Sequence, residues 1–224
     1  MRIVTKDTFQ KEKLRFLKHT FAFVYGKGPS FTLPPNSLAS KPTTLHVCAK
    51  DTVIPIVEHI GRCDLFVVND AEIFSRIPKH IASKIDAILV PYRPHVNLKP
   101  TDTLFQEFMS RLHGFDGTVF VYNLKTSAPS DDYITLEGGE LSALHTGLRF
   151  IAEHASNLKH INIVGCGGTG YHPLFVSSYS SACIHAYGKN PAKFYNMSRS
   201  NHLLGQAVNI IKKYSQDVPF SVQS

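Results

Sequence analysis

Hydrophobic positions along this chain come in short unbroken clusters rather than in an alternating pattern. Phe21 to Tyr25, Thr44 to Cys48, Leu65 to Val68, Ala87 to Val90, Thr118 to Tyr122 and Ile161 to Val164 are apolar nearly throughout and rich in β-branched and aromatic residues, with Pro219 to Val222 a further candidate. Clusters this short and this uniformly apolar suit strands covered on both faces, as in a parallel sheet. The segments between them carry helical spacing: Val53, Ile56, Val57 and Ile60 within Asp51 to Gly61; Phe105, Phe108, Met109 and Leu112; Leu141, Leu144, Leu148 and Ile151 within Glu140 to His154; Leu204, Val208 and Ile211 within Asn201 to Tyr214. Strands alternating with helices predict right-handed βαβ units and a three-layer α/β sandwich with a mostly parallel sheet, one domain over residues 1–224.

The rhythm breaks between Gly165 and Arg199, a stretch rich in Ser, Tyr and Phe with no amphipathic stripe. An irregular segment of this size inside a compact domain reads as a lid or acceptor-binding segment rather than a plain connector. Shorter irregular pieces run from Pro91 to Thr103 and from Lys125 to Glu137.

Composition narrows the partners. With 43% apolar residues in 224, the chain can bury a core without staples. The net charge of +7 favours anionic partners, yet no dense basic stripe marks a nucleic-acid binder, so nucleic acid is not expected. The four cysteines form no C-x-x-C pair, and neither a signal peptide nor an apolar span is evident. A cytoplasmic protein is expected, with room for peripheral contact at the inner face of a membrane and for a homo-oligomer.

Candidate chemistry gathers at strand ends. Gly26-Lys27-Gly28-Pro29-Ser30 follows the Phe21 strand, where exposed amides can hold a phosphate or ribose; it lacks the G-K-[ST] ending of a Walker loop, and a tight turn is the other reading. Asn69 and Asp70 end the Leu65 strand, either facing a ligand or capping the next helix. Gly138 and Gly139 precede the Leu141 helix and either free amides for an anion or only turn the chain. Gly165 opens a glycine-rich loop after the Ile161 strand, leading to Tyr171 and His172. Among the 12 histidines there is no H-E-x-x-H, so no metal site is expected. His172, His185 and His202 lie in or beside the irregular segment, where a general base or a hydrogen-bonded structural role are both open.

Taken in order, these pieces resemble a group of bacterial Rossmann-like glycosyltransferases, the lipooligosaccharide sialyltransferases and the flagellin-modifying motility accessory factor proteins. The matching parts are Gly26, Gly28, Pro29 and Ser30; the strand from Asp64 to Asp70, with Asn69 at the nucleotide-contacting position; the strand from Asp86 to Val90; and the path from Gly138-Gly139 to Gly165. The resemblance implies a Rossmann-like fold and metal-independent, inverting transfer of an acidic sugar from a CMP-linked donor to a glycan or lipooligosaccharide acceptor. The nucleotide sugar is then a co-substrate and no further cofactor is needed. It also implies that Tyr171 assists the departing phosphate and that His172 or His202 takes the acceptor proton. Two positions depart from the pattern: Ser198 stands where the family places its histidine base, and Gly167 replaces an acidic residue. Two other readings remain, a Mg-dependent pterin pyrophosphokinase-like enzyme using Asp70 and Glu137, and a non-catalytic nucleotide- or glycan-binding module.

Overall fold

The computed structural model describes residues 1–68, 74, 76–92, 109–110, 112, 114–124, 130–136, 142–166, 172, 174–175, 197–215 and 218–223, the side chains of 124 and 197–203 excepted. Within them a sheet is built from β1 (Arg2–Val4), β2 (Phe21–Tyr25), β3 (Thr44–Ala49), β4 (Leu65–Val67), β5 (Ala87–Pro91), β6 (Thr118–Leu124), β7 (Ile134–Leu136), β8 (His160–Val164) and β9 (Phe220–Val222). The helices are α1 (Lys6–Glu12), α2 (Asn36–Ala39), α3 (Val53–Ile60), α4 (Lys79–Ala82), α5 (Ala143–His154) and α6 (Met197–Tyr214). The strand order is β1-β6-β5-β4-β3-β2-β8-β9, with β7 also on β6, and every pairing between these strands is parallel. This is a Rossmann-like sandwich, as the unbroken apolar runs predict.

Alternation inside the strands feeds two cores. Ala22, Val24, Leu45, Val47, Leu65, Val67, Leu89 and Phe120 face α1, α5 and α6, while Phe23, Tyr25, Cys48, Phe66, Ile88 and Val119 face α3 and α4. Helix α5 lies directly on the sheet because Gly147 has no side chain: a Cβ there would sit 2.8 Å from both Val47 Cγ1 and Val67 Cγ2. Arg149 of α5 stacks 4.1 Å over the Tyr214 ring of α6, tying the two helices together.

Several elements escape the apolar pattern. β1 and β7 are three residues each, and they share one flank of β6: β1 pairs with Thr118 to Phe120, β7 with Tyr122 to Leu124. Two of the three β1 residues are exposed, so no apolar cluster announces it. The irregular reading of Lys125 to Glu137 is corrected by β7. The helix expected from Asp51 starts instead as a 3-10 turn over Lys50–Thr52, which places Asp51 at the sheet edge rather than inside α3. Helix α6 begins at Met197, so Ser198 and Arg199 belong to it and not to an irregular segment.

Decisive for function is where the order reverses. From β2 the chain winds outward through β3, β4, β5 and β6, and then returns through α5 to β8 on the opposite flank of β2. The carboxyl ends of β2 and β8 therefore flank a topological switch point, the crevice where open α/β sheets bind ligands.

Candidate functional site

At the switch point the loops after β2 and β8 are joined by their backbones. The Gly26 amide donates to the Val164 carbonyl at 2.7 Å and the Gly28 amide to the Gly165 carbonyl at 2.8 Å. Gly165 has φ +68°, and a Cβ on it would overlap the Gly26 carbonyl. A Cβ on Gly26 would lie 2.6 Å from the Gly165 oxygen and would collide with Leu144 Cδ1, in the first turn of α5. These glycines thus let two loops and a helix start meet at one point. The expectation that the Gly26 and Gly28 amides hold a phosphate is corrected: both donors are engaged by β8 and its loop.

What the loop offers instead is side chains. Lys27 Nζ lies 3.1 Å from Oδ2 of Asp51, an ion pair whose side chains are 16% and 8% exposed. Lys50, just before Asp51, has φ 55°, the left-handed region that a non-glycine residue adopts at a cost of about 1–2 kcal/mol. The Ser30 hydroxyl is buried without a hydrogen-bond partner among the described residues. Pro29 is exposed.

His172 comes to the same loop from a distant part of the chain. Its amide donates to the Lys27 carbonyl at 2.9 Å, and its ring lies 5.6 Å from Phe31 and 6.1 Å from Phe175. The Leu174 amide donates to its Nδ1 at 3.3 Å, so the proton of the neutral ring sits on Nε2. In that tautomer Nε2 is a hydrogen-bond donor.

Helix α5 points its amino end at this crevice. Its cap is Ser142, whose Oγ lies 2.7 Å from Nδ1 of the buried His145 and 3.4 Å from the His145 amide. The helix start predicted just after Gly138-Gly139 therefore falls at Ser142, and the positive end of the helix dipole lies over Gly26 through Leu144. Asn69, Asp70, Gly138, Gly139, Tyr171 and His185 lie outside the described residues, as does most of the segment expected to form a lid. His202 falls within α6, with its side chain outside the description.

Neighbouring titratable groups are structural. The Tyr25 hydroxyl lies 3.0 Å from Nδ1 of His46, whose Nε2 lies 3.0 Å from the Ala39 carbonyl. Burial lowers the His46 pKa to about 4 and raises that of Tyr25, so both stay neutral. Burial also pushes the Cys166 thiol, beside Gly165, up to about 11, which keeps it protonated and unreactive. Among the described residues no group of three His, Cys, Asp or Glu is placed to hold a metal ion. An open groove of about 1070 Å³ lies at the opposite, amino edge of the sheet, lined in part by Arg62, Phe74, Lys84 and Phe115. Ligands of open α/β sheets bind at the carboxyl edge, so the switch point is the candidate site.

No protein-family model matches the chain. No curated protein matches it either. Among solved structures, hydroxysteroid dehydrogenase from Escherichia coli aligns over 96% of this chain and 98% of its own, at 10% identity and a TM-score of 0.22, a likeness that carries no argument. The described helices include none long and apolar enough to cross a membrane.

Sequence reasoning missed Asp51. Here the apolar stripe beginning at Val53 drew Asp51 into a helix.

Proposed function

We propose that the crevice between the β2 and β8 ends binds a nucleotide-activated acidic sugar, CMP-linked, and that the protein transfers the sugar to a glycan acceptor such as a lipooligosaccharide, without metal and with inversion. The observation that carries the reading is the joining of the Gly26–Ser30 and Gly165 loops at the switch point, beneath the amino end of α5. The resemblance of the strand-end motifs supplies the reaction class.

In this reading the acceptor hydroxyl oxygen attacks the anomeric carbon while the bond from that carbon to the phosphate oxygen breaks. The nucleotide leaves with the electron pair. The His172 Nε2–H donates a hydrogen bond to the leaving phosphate, alongside Tyr171, and the positive end of the α5 dipole stabilises the same charge. His202 takes the acceptor proton. The Ser30 hydroxyl and Asn69 hold the nucleotide, with Gly138 and Gly139 shaping its approach. The surplus of positive charge, +7 over the chain, suits an anionic donor.

Isothermal calorimetry with CMP, CDP, UDP, GMP and ATP tests binding, and CMP is expected to bind best. Failure of all five to bind overturns the reading. Transfer from a CMP-linked sugar is expected to fall about 100-fold or more in His172→Ala and in His202→Ala; intact transfer in both refutes the assigned roles.

A further inference from the structure

We propose that Ser142 is a nucleophile activated by His145, and that this pair acts on carboxylic esters. The proposal goes beyond the nucleotide reading and does not depend on it.

The pair is built into the first turn of α5. Ser142 Oγ lies 2.7 Å from Nδ1 of His145, well inside hydrogen-bond reach. Oγ already accepts from the His145 amide, so the hydroxyl proton is left for Nδ1. Access to the two residues differs. Ser142 is exposed, whereas His145 is only 1% exposed. A hydroxyl open to an incoming carbonyl, held to a base shielded from water, is the arrangement that activates a serine. Capping alone asks only for an oxygen that accepts from the backbone. The 2.7 Å bond to an imidazole nitrogen is additional to it.

Donors for developing negative charge stand beside the hydroxyl. The first amides of a helix have no intrahelical partner, and among the described residues those of Ala143 and Leu144 make no hydrogen bond. They belong to the same helix end as Oγ, where the dipole favours negative charge. The amide directly after a nucleophilic serine is a recurring oxyanion donor, and Ala143 supplies it here. Through Leu144 this helix end lies against Gly26, at the carboxyl edge of the sheet.

The chemistry closes without a further reactant than water. Oγ bonds to the ester carbonyl carbon while its proton passes to Nδ1, and the carbonyl oxygen becomes an oxyanion held by the two amides. As that intermediate collapses, the bond to the alkoxy oxygen breaks, and the alcohol leaves with the proton from Nδ1. Water then attacks the acyl carbon and gives a proton to Nδ1. The acid is released, and Ser142 regains its proton.

A fluorophosphonate probe and p-nitrophenyl acetate test the pair. The probe is expected to bond through phosphorus to Ser142 Oγ with loss of fluoride, located by peptide mass spectrometry. Wild-type protein is also expected to release nitrophenolate above the rate in buffer. Ser142→Asn, which keeps a capping side chain, should lose both reactions. His145→Gln should slow labelling by about 100-fold or more. Wild-type labelling should also rise with pH through a single ionisation between about pH 5 and 8, as a neutral imidazole base requires and a mere cap does not.

No adduct on the wild type, or an adduct elsewhere than Ser142, overturns the proposal. Unchanged labelling in His145→Gln does the same, as does the absence of ester turnover in the wild type. If His145→Gln fails to fold, the pH profile decides: a rate that only tracks hydroxide, with no ionisation in the histidine range, refutes the role of His145.

Discussion

Gly165 stands so close to Gly26 that neither can carry a side chain: a Cβ on Gly165 would overlap the Gly26 carbonyl, and one on Gly26 would press on the Gly165 oxygen. The contact joins loops on opposite flanks of the sheet's point of reversal. It makes the crevice a product of backbone packing, built before any ligand arrives.

Gly165→Ala should therefore be costly for two reasons at once, the positive φ and the collision. A loss of about 2–5 kcal/mol in unfolding free energy is expected. Gly61→Ala is the matched control, because Gly61 has φ +79° but, among the described residues, nothing within 4 Å of its Cβ position. There the left-handed backbone alone should cost about 1–2 kcal/mol. Urea titration of both variants checks the difference; equal losses would remove the close-packing argument.

Two helical glycines should respond with opposite sign. Gly205 in α6 has nothing within 4 Å of its Cβ position among the described residues, so Gly205→Ala should stabilise the protein by about 1 kcal/mol through helix propensity. Gly147→Ala gains the same propensity but drives a methyl to 2.8 Å from Val47 and Val67. A net loss of about 1–3 kcal/mol is expected there. Thermal denaturation of the pair reads the sign directly, and a stabilising Gly147→Ala would mean that α5 can lift from the sheet.

The Lys27–Asp51 pair is open to a double-mutant cycle. Removing one partner leaves a poorly solvated charge, so Lys27→Met and Asp51→Asn should each cost about 1–3 kcal/mol. The double variant should lose less than the sum, with a coupling of about 1 kcal/mol or more. Additive losses would show that the ion pair contributes nothing to folding.

Stability should fall as pH drops from 7 toward 5. Burial, the leading cause for each, holds His19, His46 and His154 at pKa values of about 4, against 6.5 for an unfolded histidine. Between those values the unfolded chain binds protons that the folded one refuses. The stability these residues protect is thus present above pH 6.5 and drains as pH falls toward 4, by at most about 1.4 kcal/mol per pH unit for each. Asp64, whose pKa burial raises, works in the opposite sense and offsets part of the slope. Guanidinium titrations at pH 7.5, 6 and 5 measure it, and a flat profile would mean that these histidines take up protons without unfolding.

The layers of this protein were legible in its residues. Strands buried on both faces must be apolar along their whole length, so β2, β3, β4, β5, β6 and β8 announced themselves, as did α5 through Leu144, Leu148 and Ile151. The strand-end glycines Gly26, Gly28 and Gly165 were visible as well, because a glycine directly after an apolar strand marks a close backbone approach. β1 and β7 were not, since each buries only one of its three residues and leaves no continuous apolar cluster.

What the residues could not disclose was who meets whom. Hydrophobic periodicity is a local property and carries no information about strand order, so the return of β8 to the flank of β2 appears only in the folded sheet. That return turns Gly26 and Gly165 from separate turns into one contact and engages the amides that seemed ready for a ligand. The same tertiary placement sets His172 against Phe31 and pairs Lys27 with Asp51, 24 residues on, which fastens the loop after β2 to the turn after β3. Local burial wrote the elements into the chain; the crevice exists only because packing brings distant strand ends to one edge.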